Sequence, residues 1–314
     1  MVTADDVRDA WSHLRGIVHP TPMLQSRSLD EMAGGRVFLK MESFQRAGAF
    51  KFRGAFHALT RNLEQAREAG VVTGSSGNHG GALALAGKIL GVSVTVVVPE
   101  DIRAVKREAL DAYGATVEVV GRTSVERLSR ARELADTKGM LLVHPYDDPH
   151  VIAGQGTVAM EVLEQVPDLD VFVAPVGGGG LLSGCATYIN DEMASVEVWG
   201  AEPQAANDTW KSMRAGERCT IPFPETLADG ARNLSPGELT FPIMRRTCRG
   251  ILLVTEDQIR ESVKLLLTRV KVVTEPTGAL AVAAILFNGG LAGRTAVVVV
   301  SGGNADPELL RECL

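Results

Sequence analysis

Several things are scarce in this sequence, and each shortage closes off a class of protein. No stretch reaches the roughly 18 consecutive apolar residues that a membrane-spanning helix needs. Cysteine occurs four times, at Cys185, Cys219, Cys248 and Cys313, far apart and with no Cys-x-x-Cys pair. That spacing argues against a zinc site and a disulfide framework, and for free thiols in a reducing cytoplasm. Basic residues are outnumbered, 32 Lys and Arg against 38 Asp and Glu, a net charge of −6. Such a balance gives no footprint for nucleic acid and no attraction to anionic membranes. The opening Met1-Val2-Thr3-Ala4-Asp5-Asp6 is polar and acidic, unlike a secretory leader.

What is present is an alternation of strands and helices. The 314 residues, 45% hydrophobic and 22% charged, suit one large or two medium soluble domains. A helix is expected over 5–15, a strand over Val37–Met41 and a helix from near Arg53 towards Glu68. Strand–loop–helix units follow: Val71–Thr73, then Gly74–Gly80 and an alanine-rich helix to Leu90; Val94–Pro99 and a helix to Tyr113; Val117–Val120 and a helix over 124–138; then Met140–Val143. The second half repeats the scheme, with strands Val171–Val176, Val196–Gly200 and Thr295–Val300. Thr255-Glu256-Asp257-Gln258 reads as a capping box opening a helix to about Val270. Continuous apolar strands between helices imply parallel sheets covered on both faces, with ligands at the strands' carboxyl ends. Three glycine-rich loops fall at such ends. The polar tract Pro145-Tyr146-Asp147-Asp148-Pro149 is where the chain is expected to cross between domains.

Three stretches carry chemistry. In Ala49-Phe50-Lys51-Phe52-Arg53-Gly54-Ala55 a lysine sits between two phenylalanines. Apolar flanks also suit a snorkelling surface lysine. In a pocket, however, lost hydration lowers the amine's pKa and makes it a nucleophile for an aldehyde cofactor. Gly177-Gly178-Gly179-Gly180 directly precedes a helix, so backbone N–H groups and the helix end converge on one point, a site for a phosphate. A nicotinamide fingerprint is not completed, since the sixth position from Gly177 is Leu182 and from Gly178 is Ser183. Ser75-Ser76-Gly77-Asn78-His79-Gly80 offers hydroxyl, amide and imidazole groups at a helix start, which suit a carboxylate or phenolic oxygen; by itself it also reads as simple capping by Ser75 or Ser76. Together the stretches describe pyridoxal 5'-phosphate, its aldehyde on Lys51, its phosphate on the glycine run, the asparagine loop facing its ring oxygen, and Ser301 as partner of the ring nitrogen.

The chain resembles the fold-type II pyridoxal-phosphate enzymes of the serine/threonine dehydratase and serine racemase family. The stretches above carry the resemblance, with Ala153-Gly154-Gln155-Gly156-Thr157, Glu275-Pro276-Thr277-Gly278-Ala279 and Ser301-Gly302-Gly303-Asn304. It implies a two-domain α/β fold like the tryptophan synthase β subunit. Residues 1–65 and 147–314 would form the large cofactor domain and 66–146 the small one. It further implies Lys51 as the Schiff-base lysine, Phe50 on one ring face and Gly230 on the other. Asn78 would bond the ring oxygen, Gly177, Gly178, Gly179, Gly180 and Leu181 the phosphate, and Ser301 the ring nitrogen. Ser75, Ser76, Asn78 and His79 would surround the substrate carboxylate, with Arg127 meeting a second acidic group. Glu202, Asp208 and the Ala206 carbonyl match a divalent-cation loop for Mg²⁺ or Ca²⁺. The assembly expected is a cytoplasmic homodimer or homotetramer acting on a small amino acid.

The activity so implied is β-elimination from L-threonine- or L-serine-type β-hydroxy amino acids, giving a keto acid and ammonia. Lys51 would remove the Cα proton, and a neutral Ser301 would favour elimination over transamination. Ala49 stands where the family usually has Ser or Thr, and Gly81 where nucleotide-activated racemases have Gln. The chain ends soon after Asn304, so an isoleucine-regulated domain is not expected. His79 argues against cysteine-synthase-like β-replacement. Three alternatives stay open: a serine racemase using Lys51 and Ser76 on opposite faces, a dehydratase for another β-hydroxy amino acid such as 3-hydroxyaspartate, and a non-catalytic binding protein.

Overall fold

The computed structural model describes the chain except Ser76, Asp101, Arg103, Arg122 and Thr123, and the side chains of Val105 and Ser124. Among the described residues ten strands form two sheets: β1 (Met23–Gln25), β2 (Arg36–Lys40), β3 (Val71–Thr73), β4 (Val94–Val98), β5 (Thr116–Val119), β6 (Leu141–Leu142), β7 (Val171–Pro175), β8 (Glu197–Pro203), β9 (Gly250–Val254) and β10 (Thr295–Val299). The larger sheet runs β1-β2-β10-β7-β8-β9 and the smaller β5-β4-β3-β6. Every pairing is parallel except β1 with β2, where Met23 lies opposite Lys40.

The apolar runs are buried on both faces, as their pattern requires. Along β7, Val171 and Val173 enter one core while Phe172 and Ala174 enter another. Along β10, Ala296 and Val298 join the first and Val297 and Val299 the second. Alternate side chains point to opposite faces, so a strand apolar at every position needs helices above and below it. The smaller sheet repeats this, with Val96 and Val98 on one side and Val97 on the other. Phe52, Phe56 and Leu59 of the helix Lys51–Arg61 share the core of Val71, Leu83 and Val96.

Several expected boundaries are corrected. The helix expected from Arg53 to Glu68 is two helices, Lys51–Arg61 and Leu63–Ala69, broken at Asn62, whose Nδ2–H donates to the Ala58 carbonyl. The side chain competes with the backbone for that carbonyl, a habit of asparagine. Thr255 and Gln258 form the capping box, but the helix is regular only over Glu256–Leu265 and finishes in a wider π turn, Leu266–Val270. The strand expected over Met140–Val143 narrows to Leu141–Leu142, and Val196 precedes β8. Strand β1 has no signal in the sequence: three residues carry too little periodicity, and their pairing with β2 is non-local. Among the described residues no helix is long and apolar enough to cross a membrane.

Candidate active site

All three glycine-rich loops sit at carboxyl ends of strands, after β3, β7 and β10, and open onto one cavity of about 680 Å³. The glycine run joins β7 to the helix Gly180–Glu192. Gly179, the residue before the helix, has φ +93°, and no side chain caps this helix end. Gly178 lies under the Tyr146 ring, where a Cβ would come within 2.2 Å of it. Thr240 Oγ1 donates to the Gly178 carbonyl at 2.6 Å, fixing that peptide. A glycine-lined helix start with unclaimed N–H groups is a cradle for a phosphate.

Lys51 opens its helix beside the β10 loop. The Phe50 N–H donates to the Ser301 carbonyl at 3.1 Å, and Ala49 pairs with Gly302 as an isolated antiparallel bridge. These contacts aim Lys51 into the cavity. Its Nζ donates to the Pro145 carbonyl at 2.7 Å and lies 5.1 Å from the Phe50 ring centre. Burial lowers the amine from 10.5 to about 8. Ser301 and Leu181 are buried, and both line the same cavity together with the exposed Gly230.

The asparagine loop precedes the helix Asn78–Leu90. Gly77 is its N-cap and no side chain caps it, so simple capping by Ser75 does not account for the loop. Ser75 lines the cavity; Ser76 lies outside the described residues. Asn78 is engaged at both ends, its Nδ2 donating to Glu275 Oε1 at 2.5 Å and its Oδ1 accepting from Asn304 Nδ2 at 2.9 Å. His79 is a buried neutral ring: burial lowers it to about 3, and Nε2 faces the Val143 carbonyl at 3.3 Å. It therefore faces the cavity as a dipole, not as a cation. Arg127 reaches the cavity from the helix Ser124–Lys138, together with Arg132.

Sequence reasoning missed several residues of this cavity. Glu275 is buried against Asn78, and burial with nearby Asp229 raises it to about 7. Its one signal is Glu275-Pro276-Thr277-Gly278 at a helix start, a stretch that carries the resemblance without pointing to a role. Lys106, from the helix Ala104–Ala112, pairs with Asp229 at 2.5 Å across the cavity. Asp147 accepts from the N–H groups of Glu238 and Leu239, both at 2.8 Å, and so ties the crossing tract to the helix Thr240–Thr247. No local pattern marks such partners.

The expected cation loop runs from Glu202 at the end of β8 to Asp208 at the start of the helix Asp208–Ala215. Glu202 is fully buried and accepts from the N–H groups of Thr209 and Trp210 at 3.1 and 2.9 Å. Asp208 is buried with neither carboxylate oxygen hydrogen-bonded. Burial raises both, Asp208 to about 7. Ala206, between them in sequence, is buried too. Among the described residues no group of three or more His, Cys, Asp or Glu side chains is placed to hold a metal ion.

A family model described as "Pyridoxal-phosphate dependent enzyme" matches residues 14–302. The chain belongs to this family. It is 42% identical over 310 residues to a serine racemase of Dictyostelium discoideum, covering 97% of this chain and 95% of that one. It is 43% identical over 305 residues to an L-threo-3-hydroxyaspartate ammonia-lyase of Saccharomyces cerevisiae, covering 97% and 94%. The solved structure of maize serine racemase superposes with a TM-score of 0.95 at 36% identity, covering 99% of this chain and 96% of that one. An L-threonine ammonia-lyase of Thermotoga maritima is 37% identical over 310 residues, covering 99% of this chain and 77% of that one. The dehydratase reading and its racemase and hydroxyaspartate alternatives are all represented among these relatives.

Proposed function

We propose that the protein eliminates water from L-threonine- or L-serine-type β-hydroxy amino acids, releasing a 2-keto acid and ammonia. The observation that carries this reading is the Lys51 amine, lowered to about 8 by burial and aimed into a cavity that also holds the glycine run and Ser301. The residues fit pyridoxal phosphate: a desolvated lysine for its aldehyde and an uncapped glycine-rich helix start for its phosphate. When bound, that group supplies the electron sink that acidifies the substrate's Cα–H.

In this reading Gly177, Gly178, Gly179, Gly180 and Leu181 would hold the phosphate, and Phe50 and Gly230 would flank the ring. Asn78, held by Glu275 and Asn304, presents its amide to the ring oxygen. Ser301 offers a neutral hydroxyl to the ring nitrogen, and so does not hold it protonated as a carboxylate would. Ser75, Ser76 and the neutral His79 receive the substrate carboxylate, with Arg127 serving a second acidic group. The Lys51 amine would be the group that takes the substrate's Cα proton. With its amine near 8, roughly a tenth is neutral at pH 7, against a negligible share for an exposed lysine. Incubation with pyridoxal phosphate and L-threonine, L-serine or L-threo-3-hydroxyaspartate, with keto acid and D-amino acid assayed together, tests the reading. Racemisation outpacing keto-acid release would replace it by the racemase alternative.

We also propose that Glu202, Asp208 and the Ala206 carbonyl hold Mg²⁺ or Ca²⁺. Two buried carboxylates with no basic partner among the described residues need a proton or a cation to neutralise them, and oxygen donors suit these hard ions. The units 1–65 with 147–314 and 66–146 would meet at the cavity. Four free cysteines fit a cytoplasmic enzyme. A homodimer or homotetramer is the assembly we propose, testable by sedimentation.

A further inference from the structure

Behind Lys51 lies a cluster of full charges that the proposed chemistry does not use. Lys40, Glu42, Arg53 and Glu161 are all buried, the first three completely. Arg53 grips Glu42 with two parallel bonds, Nε to Oε2 and Nη2 to Oε1, both 2.8 Å. Its Nη2 also lies 2.7 Å from Glu161 Oε1. Lys40 Nζ donates to Glu161 Oε2 at 2.6 Å, to the Thr21 carbonyl at 2.9 Å and to Gln165 Oε1 at 3.0 Å. Thr21 Oγ1 completes the set by donating to Glu42 Oε1 at 2.6 Å. Two positive and two negative charges cancel; Arg53 with Glu42 and Lys40 with Glu161 are hydrogen-bonded pairs, and Arg53 with Glu161 is an ion pair.

Such clusters are poor devices for stability. Desolvating four ions is costly, and apolar residues of the same volume often do as well or better. What they do well is fix geometry, because each partner admits one arrangement. Here that arrangement bears on Lys51. Arg53 follows it by two residues in the first turn of the helix Lys51–Arg61. Residues two apart on a helix project roughly 200° from each other, so Arg53 holds the back of the turn whose front carries Lys51. Glu161 stands on the helix Pro149–Gln165, which begins just after Pro145, the acceptor of the Lys51 amine. The two helices touch backbone to backbone: a Cβ on Gly154 would lie 2.7 Å from the Gly54 Cα. Both ends of the Lys51–Pro145 contact are thus tied to one charged cluster.

We infer that Arg53, gripped by Glu42 and Glu161, is a positioning residue for Lys51, an inference that rests on the reading of Lys51 as the cofactor lysine. It fixes where the amine sits and how far it is desolvated, without touching substrate or cofactor.

The test uses the cofactor-loaded protein and three variants. Arg53→Lys keeps a charge but cannot form the fork to Glu42. Glu42→Gln is isosteric and weakens the same grip from the other side. Ile259→Ala, in the core of the larger sheet away from this cluster, supplies a comparable loss of melting temperature without touching it. Arg53→Lys and Glu42→Gln are expected to lower kcat by about 100-fold, the loss a roughly 1 Å misplacement of a reacting group produces. KM should change less than kcat, and the pH midpoint of the bound cofactor's visible absorbance should shift. Ile259→Ala should lose melting temperature while keeping spectrum and kcat. If the Arg53 and Glu42 variants melt lower but keep kcat, spectrum and pH midpoint, the cluster is merely structural and the inference is wrong. If Arg53→Lys does not fold, Glu42→Gln gives the same reading. A native protein whose visible band persists in Lys51→Ala would instead overturn the assignment of Lys51, leaving the two failures distinguishable.

Discussion

Asn78 donates its amide to Glu275 at 2.5 Å, joining residues 197 positions apart in the chain. The bond links the loop after β3 to the helix Pro276–Ala284, and so spans the two sheets' sides of the cavity. Burial and nearby Asp229 raise the Glu275 carboxyl to about 7. In the unfolded chain it titrates near 4.5, so between those values the fold holds the extra proton. Its contribution to stability is complete below 4.5 and is lost as pH rises through 7. Glu275→Gln mimics the protonated form and escapes that loss. Its melting temperature relative to the native protein should be higher at about pH 8 than at about pH 5; a pH-independent difference would contradict the assignment.

Lys51→Ala should remove the visible absorbance of bound cofactor and lower turnover by about 1000-fold or more, with the fold retained. Absorption spectra, keto-acid assays and circular dichroism of one preparation check all three. A variant with normal activity would sink the functional reading.

Ser76 bears on elimination against racemisation. Lys51 would reach the substrate's Cα from one side only, so racemisation needs a second acid–base group on the opposite side. A serine hydroxyl becomes a usable base only where nearby positive charge lowers its pKa. Ser76→Ala should abolish turnover of D-substrates and any racemisation, while L-elimination falls by no more than about tenfold. Native protein should release keto acid from L-threonine much faster than it forms D-serine from L-serine.

Removing divalent cations should lower the melting temperature, and Mg²⁺ or Ca²⁺ should restore it, since a ligand bound only by the fold stabilises it. Asp208→Asn should make the protein indifferent to chelator. A stripped sample that melts and turns over like the untreated one would rule the cation site out.

His57 is buried between His13 and His150, with ring centres 5.5 and 5.8 Å away. Burial, then these two rings and Arg61, lower it from 6.5 to about 4, against the opposing pull of Asp9. The unfolded chain takes up this proton first as pH falls, so His57 costs nothing above about pH 6.5 and destabilises progressively down to about pH 4. The melting deficit of His57→Gln against native protein should therefore shrink between about pH 7 and about pH 4.5. A deficit that grows on acidification would reverse the sign argued here.

Much of the fold was legible because its determinants are local. Val171–Val176 and Thr295–Val300 are apolar at nearly every position, which a strand buried on both faces explains, and both strands are there. Thr255 and Gln258 announce a helix start three residues apart, and they form it. The break at Asn62 and the π turn after Leu265 were not legible, because they depend on how side chains compete for carbonyls within an already folded helix.

The sequence by itself determined which backbone segments can turn, cap and bury. Glycine at 177–180 permits a helix start that no β-carbon crowds, and phenylalanines around Lys51 ask for an apolar setting. Those are properties of residues and their immediate neighbours. Only the tertiary structure decided what those segments face. It set Tyr146 over Gly178, Glu275 against Asn78, and Arg53 between Glu42 and Glu161. It also lowered the Lys51 amine to about 8. Desolvation and charge pairing depend on every atom within a few ångströms, and most of those atoms come from distant parts of the chain.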